Sequence, residues 1–281
     1  MRAKMSLYCD IFASVAQRRP LVHCITNYVT ANDCANILLA CGASPIMADS
    51  PSEAEEITAA SQALVLNLGT FNESRFQAMR KSAGTAERLG LPIIIDPVGV
   101  GASQIRREAF ARLAQEVKIS VVRGNVSEIN SLALNASKRG GVDAEEADFK
   151  GETVLTAASR NAMCLGKKLG CTVVMTGVAD IITDGANVAA VKNGVSMMSQ
   201  ITGSGCMLSS LIGAFCGAHL DSCFDAAVSA AAMFGLCGEE ALKITKVQKG
   251  GTGTFRTCLI DAVSLMKKKE FERGISVELQ R

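Results

Sequence analysis

The sequence lacks most of the features that mark whole classes of protein. Its 281 residues hold five prolines, and its 25 glycines follow no period, so it is neither collagen-like nor low-complexity. An excess of one charge sign is missing as well. Lys and Arg number 29 against 27 Asp and Glu, a net charge of +2, which supplies no electrostatic reason to expect nucleic acid or an anionic membrane as partner. No apolar run reaches the ~20 residues of a membrane span. The two histidines, His23 and His219, belong to no HxxxH, and the 11 cysteines contain no CxxC pair, so a zinc reading has no ligand set. An odd number of cysteines, with no secretory signal at the start, leads to the expectation of a soluble protein of a reducing cytosol. There is no Gly-x4-Gly-Lys-Ser/Thr and no Gly-x-Ser-x-Gly. Gly99-Val100-Gly101 and Gly203-Ser204-Gly205 both lack the third glycine of a dinucleotide fingerprint. These absences argue against P-loop enzymes, α/β-hydrolases and Rossmann dehydrogenases.

What is present describes a globular chain. Hydrophobic residues make up 48% and charged residues 20%, too apolar for disorder and long enough to bury a large core. No linker or repeat divides the chain, so residues 1–281 read as one domain. Strands are expected at 44–48, 63–68, 92–96, 120–123, 172–176, 180–183 and 188–191. Helices are expected at 5–17, 32–41, 51–61, 72–89, 106–115, 126–134, 152–169, 206–219, 224–242 and 252–268. Ile93-Ile94-Ile95 is apolar on both faces, as a parallel strand covered by helices on two sides must be. The alternation predicts a layered α/β fold with a mostly parallel sheet, a hairpin edge around Asp184-Gly185 and a helical last third.

In such sheets ligands bind beyond the carboxyl ends of the strands. Those ends are Met47-Ala48-Asp49, Asn67-Leu68-Gly69-Thr70, Asp96-Pro97-Val98-Gly99-Val100-Gly101, Arg123-Gly124-Asn125 and Thr176-Gly177, all polar or glycine-rich after an apolar run. Ile201-Thr202-Gly203-Ser204-Gly205-Cys206 leads into an Ala/Leu-rich helix, and free N–H groups at such a helix start suit a phosphate or an anionic transition state. Cys206 falls in the first turn, where the helix dipole favours thiolate; the alternative is a plain loop with a small apolar Cys packed inside. Asp96 ends one strand and Glu128 opens the helix after another, so the pair could hold Mg²⁺ beside nucleotide phosphates. Asn125-Val126-Ser127-Glu128 is equally a capping box, and the two roles are compatible. Ser50-Pro51-Ser52-Glu53 has the same pattern and reads as a cap alone. Arg123 either binds phosphate or pairs with Asp96 or Glu128. His219 and the Met-rich stretch 195–198 read as packing, and His23 stays undecided.

Several of these stretches together resemble the hydroxyethylthiazole kinases. The similarity begins with Pro20-Leu21-Val22-His23-Cys24-Ile25-Thr26-Asn27-Tyr28-Val29-Thr30 and Gly42-Ala43-Ser44-Pro45-Ile46-Met47-Ala48. It continues in family order through Asn67-Leu68-Gly69-Thr70, Asp96-Pro97-Val98-Gly99-Val100-Gly101, Arg123-Gly124-Asn125-Val126-Ser127-Glu128, Thr202-Gly203-Ser204-Gly205-Cys206 and Gly253-Thr254-Phe255-Arg256. It spans Val15 to Met266. The resemblance implies a ribokinase-like α/β/α fold and ATP-dependent phosphorylation of the primary hydroxyl of 4-methyl-5-(2-hydroxyethyl)thiazole, a salvage step towards thiamine diphosphate. It also implies Mg²⁺, a cytoplasmic location and a homotrimer with sites at subunit interfaces. By motif position, Asn27, Met47 and Gly203 bind the thiazole, Arg123 and Thr176 bind ATP, Asp96 and Glu128 serve the metal, and Cys206 is the catalytic residue. Cys206 stands where many relatives of the wider superfamily carry an Asp base. At Gly251-Thr252-Gly253-Thr254-Phe255 the family usually has Pro in place of Thr252, and its loss predicts a looser loop. Two other readings remain: a kinase of the same fold acting on another small alcohol such as hydroxymethylpyrimidine, and a non-catalytic thiazole- or nucleotide-binding protein.

Overall fold

The computed structural model describes residues 2–140 and 154–280. One nine-stranded sheet organises them, in the order β2-β1-β3-β4-β5-β6-β7-β8-β9. The strands are β1 (Leu21–Ile25), β2 (Ser44–Ile46), β3 (Ala63–Asn67), β4 (Ile93–Asp96), β5 (Val121–Asn125), β6 (Thr172–Thr176), β7 (Asp180–Thr183), β8 (Val188–Val191) and β9 (Val277–Gln280). The first six are parallel, and the last three join antiparallel. The chain leaves β1 towards β2 and then returns to build β3 on the other side. The topological switch point, where the crevice of such sheets opens, therefore lies between β1 and β3.

Helices cover both faces. One layer holds α1 (Arg2–Arg18), α2 (Ala31–Ala40), α8 (Ser204–Ala218), α9 (Cys223–Val247) and α10 (Thr252–Leu265). Its core includes Tyr8, Ile37, Leu211, Phe234 and Leu259. The opposite layer holds α3 (Ala54–Ala59), α4 (Glu73–Arg88), α5 (Gln104–Glu116), α6 (Val126–Gly140) and α7 (Val154–Leu169), packed through Ala54, Phe76, Phe110, Leu132 and Leu165. Strand residues alternate between the two cores. Ile94 faces the first, while Ile93 and Ile95 face the second. Fully burying such a side chain contributes about 1.5–3 kcal/mol, which is why a strand apolar on both faces is stable only between two helical layers.

The seven expected strands and the hairpin edge are present, with ends shifted by a residue or two. The expected helix at 152–169 begins, as described, at Val154; positions 152 and 153 lie outside the described residues. Two strands escaped the sequence reading. In β1 a histidine interrupts the apolar run. His23 is fully buried there because Nε2 bonds to the Ala48 carbonyl at 2.7 Å and Nδ1 contacts the Thr58 hydroxyl at 2.9 Å. In β9 the run Val-Glu-Leu-Gln gains its role only by pairing with β8. The helix expected over 252–268 is two helices. α10 ends at Leu265, Met266 and Lys267 are extended, and α11 (Lys268–Gly274) starts afresh with the Glu270 carboxylate accepting from the Lys267 N–H at 3.3 Å. The cap expected at Ser50 is not made. The Ser50 hydroxyl reaches only the Ser52 N–H at 3.4 Å, and α3 begins later, after Glu53.

Candidate active site

The carboxyl ends of β1, β3, β4, β5 and β6 and the start of α8 converge on one polar cluster. Asp96 closes β4 and is fully buried. Its Oδ2 accepts from Asn67 Nδ2 at 3.0 Å and from the Ser209 hydroxyl at 2.8 Å. Arg123 Nη1 lies 3.7 Å from the same oxygen, while Asp96 Oδ1 is buried without any hydrogen-bond partner. Burial pushes the Asp96 carboxyl up; Arg123, Ser209 and Asn67 pull against it. A carboxylate that has lost water and keeps an unspent acceptor is costly to hold unless something positive or protic completes it.

Asn67, the last residue of β3, links this carboxylate to the next strand. Its Oδ1 accepts from Asn27 Nδ2 at 3.1 Å and from the Gly69 N–H at 2.9 Å. Asn27 Oδ1 in turn accepts from the Thr30 N–H at 3.1 Å, which closes the loop before α2. Both amide nitrogens reach Cys206 Sγ, Asn27 at 3.4 Å and Asn67 at 3.3 Å. Asn67 and Ser209 hold the centre of this network, and neither was singled out from the sequence. Asn67 stood in a motif without a role, and Ser209 looks like any small residue in an Ala/Leu helix.

The start of α8 has the geometry expected of an anion site. Gly203 adopts φ 85°, open to glycine at no steric cost, and a Cβ there would meet Thr30 Cγ2 at 2.8 Å. The first helical bond runs from the Met207 N–H to the Gly203 carbonyl, so the N–H groups of Ser204, Gly205 and Cys206 have no intrahelical acceptor. Beneath Gly205 lies the Arg123 guanidinium, so close that a Cβ on Gly205 would stand 2.2 Å from Nη1. Arg123 Nη2 donates to the Thr176 hydroxyl at 2.7 Å, and its Nε is buried without a partner. Arg123 therefore faces Thr176 by a hydrogen bond and Asp96 by charge alone, with donor capacity left over. The thiol is a correction. The helix start by itself favours thiolate, but burial and the Asp96 charge outweigh it and push Cys206 up.

Glu128 makes the cap its motif suggests. Its Oε2 accepts from the Asn125 N–H and the Asn125 side chain accepts from the Glu128 N–H, both at 2.9 Å. Oε1 accepts from the Gly99 N–H at 2.9 Å, which ties the loop after Asp96 to α6. Met47 stands apart. It follows β2 on the same edge of the sheet, is partly exposed, and joins the cluster through no polar contact. Arg256, in α10, pairs with buried Asp33 of α2, whose Oδ2 would lie 3.7 Å from a Cβ on Gly203.

A divalent cation fits these residues in a limited way. No group of three or more His, Cys, Asp and Glu stands together among the described residues. Two carboxylates, one of them with an orphaned oxygen, match Mg²⁺, which keeps several waters and takes the rest of its shell from phosphates.

Comparison with known proteins identifies the family. Residues 12–269 match the hydroxyethylthiazole kinase family. The hydroxyethylthiazole kinase of Clostridium beijerinckii is 50% identical over 265 residues, 94% of each chain. The structure of the hydroxyethylthiazole kinase protein of Pyrococcus horikoshii superposes with a TM-score of 0.87 at 31% identity, over 98% of this chain and 100% of that one. The pyridoxal kinase of Staphylococcus aureus, in complex with pyridoxal, shares the fold at a TM-score of 0.59 and 15% identity, over 92% of this chain and 97% of that one. The fold is ribokinase-like, and the chain belongs to the hydroxyethylthiazole kinase family.

Proposed function

We infer that this enzyme transfers the γ-phosphoryl group of ATP to the primary hydroxyl of hydroxyethylthiazole, giving the thiazole phosphate used in thiamine salvage. The observation that carries the reading is the juxtaposition of the free N–H groups of α8 with Arg123, Asp96 and the Asn27–Asn67–Cys206 cluster at the switch point. Phosphoryl transfer asks a protein chiefly to position two substrates and to meet the charge on the moving group. Ser204, Gly205 and Cys206 offer backbone donors where that charge develops, and Arg123 with Thr176 supports the ATP phosphates from below. Asn27 and Met47, with Gly203, line the acceptor side. Asp96 and Glu128 would hold Mg²⁺, directly or through water. Bound there, the ion supplies charge neutralisation at the phosphates.

Cys206 is assigned to the catalytic centre as the group facing the acceptor hydroxyl, and its raised pKa supports a neutral thiol that positions rather than a thiolate that abstracts. Finer features of the reading have support of their own. All 11 cysteines are free, as a cytosolic location requires, and no described helix is long and apolar enough to cross a membrane. Val29, two residues beyond Asn27, is an exposed apolar residue suited to an interface at which a homotrimer completes its sites. The sheet and both helical layers would serve as one catalytic domain.

Coupled ADP release with Mg-ATP, with and without hydroxyethylthiazole, tests the assignment. Thiazole-dependent turnover that disappears in Asp96→Ala supports it. Tight thiazole binding without ADP production would leave a binding protein instead, and faster turnover on hydroxymethylpyrimidine would move the acceptor. In the same assay Cys206→Ser is expected to keep kcat within about tenfold with no thiol-like ionisation in its pH profile, because a hydroxyl still accepts from both amides. Loss of the ~100- to 10,000-fold that general-base catalysis contributes would make Cys206 the base.

A further inference from the structure

Three loops leaving the carboxyl edge of the sheet meet on one side chain that touches none of the reacting groups. Arg75, in the first turn of α4, is 2% exposed. Its Nε donates to Asp49 Oδ2 at 3.2 Å in the loop after β2. Nη1 donates to the Thr70 carbonyl at 3.2 Å and to the Thr70 hydroxyl at 2.9 Å in the loop after β3. The ring of Tyr28, in the loop after β1, lies over the guanidinium with its centroid 3.8 Å from Cζ. Nη2 is buried without a partner.

A buried guanidinium is expensive, and the usual compensation is a paired carboxylate held at close range. Asp49 is half-exposed and offers a single contact. The geometry is instead that of a clamp: a planar fork with one edge on each of two loops and its face on a third, which an ammonium could not reproduce. Thr70 adds a second sign. It is one of three non-glycine residues with positive φ among the described residues, at 44°, a conformation that persists only where its surroundings hold it. Both of its side-chain and carbonyl oxygens accept from Arg75.

The clamped loops are the ones that carry the acceptor side of the site. Tyr28 follows Asn27, Asp49 lies two residues beyond Met47, and Thr70 lies three beyond Asn67. His23 reinforces the middle loop through the Ala48 carbonyl. We propose that Arg75 is a positioning residue that sets the distances between Asn27, Met47 and Asn67, and so the shape of the pocket for the acceptor alcohol. This rests on the reading that those residues line the acceptor side. Arg123 and Thr176 belong to β5 and β6, away from the clamp, so the nucleotide side does not depend on it.

The test is steady-state kinetics on the full-length enzyme, with hydroxyethylthiazole and Mg-ATP varied separately, for wild type, Arg75→Lys, Arg75→Met, Asp49→Asn and Tyr28→Leu. The expected result is a split. Arg75→Met raises KM for the thiazole at least tenfold while KM for ATP changes less than twofold, and Arg75→Lys recovers part of the loss. Asp49→Asn and Tyr28→Leu, which alter exposed partners and leave the buried arginine in place, shift the thiazole KM in the same direction by threefold or more. Should Arg75→Met not fold, these two variants decide alone. An active wild type whose variants leave the thiazole KM unchanged, or change both KM values and kcat alike, overturns the clamp. A wild type without thiazole turnover overturns the functional reading, and the clamp with it.

Discussion

Gly205 shows how little room the site allows a single atom. With a Cβ 2.2 Å from Arg123 Nη1, Gly205→Ala must push the guanidinium off Thr176. The expected loss in kcat/KM for ATP is 10- to 100-fold, about 1.4–2.7 kcal/mol of transition-state stabilisation, with the thiazole KM little changed; initial rates against Mg-ATP measure it. Asp180 gives a pH signature. Burial pushes its carboxyl up to about 6, against the pull of the Gly177 N–H and Arg123. A carboxyl whose folded pKa is raised favours the fold while protonated, so its contribution is full below about pH 4 and is lost as pH rises through about 6. Thermal unfolding of wild type and Asp180→Asn across pH 4–7 should therefore show the wild type losing ground to the variant as pH rises. At this scale Asp96, Arg123 and Cys206 were legible, because a charged or nucleophilic residue at the end of an apolar run or beside paired glycines stands out. Asn67, Ser209 and Arg75 were not. Each is a polar residue whose role comes from a distant partner: Asn67 meets Asp96 29 positions on, Ser209 meets Asp96 113 positions back, and Arg75 meets Asp49 26 positions back, and no local pattern records such distances.

Capping separates the elements that local chemistry decides from those it does not. Asn125 and Glu128 make their box, while Ser50 and Glu53, with the same spacing, do not. The difference is that α6 continues directly from a strand, whereas the chain after Ser50 first passes through a turn before α3 begins. Thr252, where the family usually has proline, is the first residue of α10. The looser loop expected from its sequence is therefore a helix start, where proline is well tolerated because the N–H has no intrahelical acceptor. Gly251 before it is already extended, as a residue preceding proline must be. Thr252→Pro is accordingly expected to stabilise by about 0.4–1 kcal/mol through the unfolded chain, a rise of roughly 1–3 °C in Tm by calorimetry. A fall in Tm would mean that Thr252 makes a contact the helix start needs.

The nine-stranded sheet spans the whole described molecule and presents Asn27, Asn67, Asp96, Arg123 and Thr176 along one carboxyl edge. Val29 stands beside that edge, exposed. If a homotrimer completes the site there, Val29→Glu introduces three like charges at symmetric contacts; sedimentation should show smaller species, and thiazole turnover should fall with it. A trimer that survives with full turnover would place the interface elsewhere. The layered α/β class, seven of the strands and the helix that opens at the paired glycines were determined by the sequence alone, because apolar period, β-branching and glycine act over a few residues. Tertiary structure alone decided that His23 could lie in a buried strand, that the last residues close the sheet as β9, and that Cys206 is held as a thiol. In each case the outcome depends on groups brought from distant segments: a carbonyl for the imidazole, an open edge for the strand, and the desolvation and nearby charge that set the thiol.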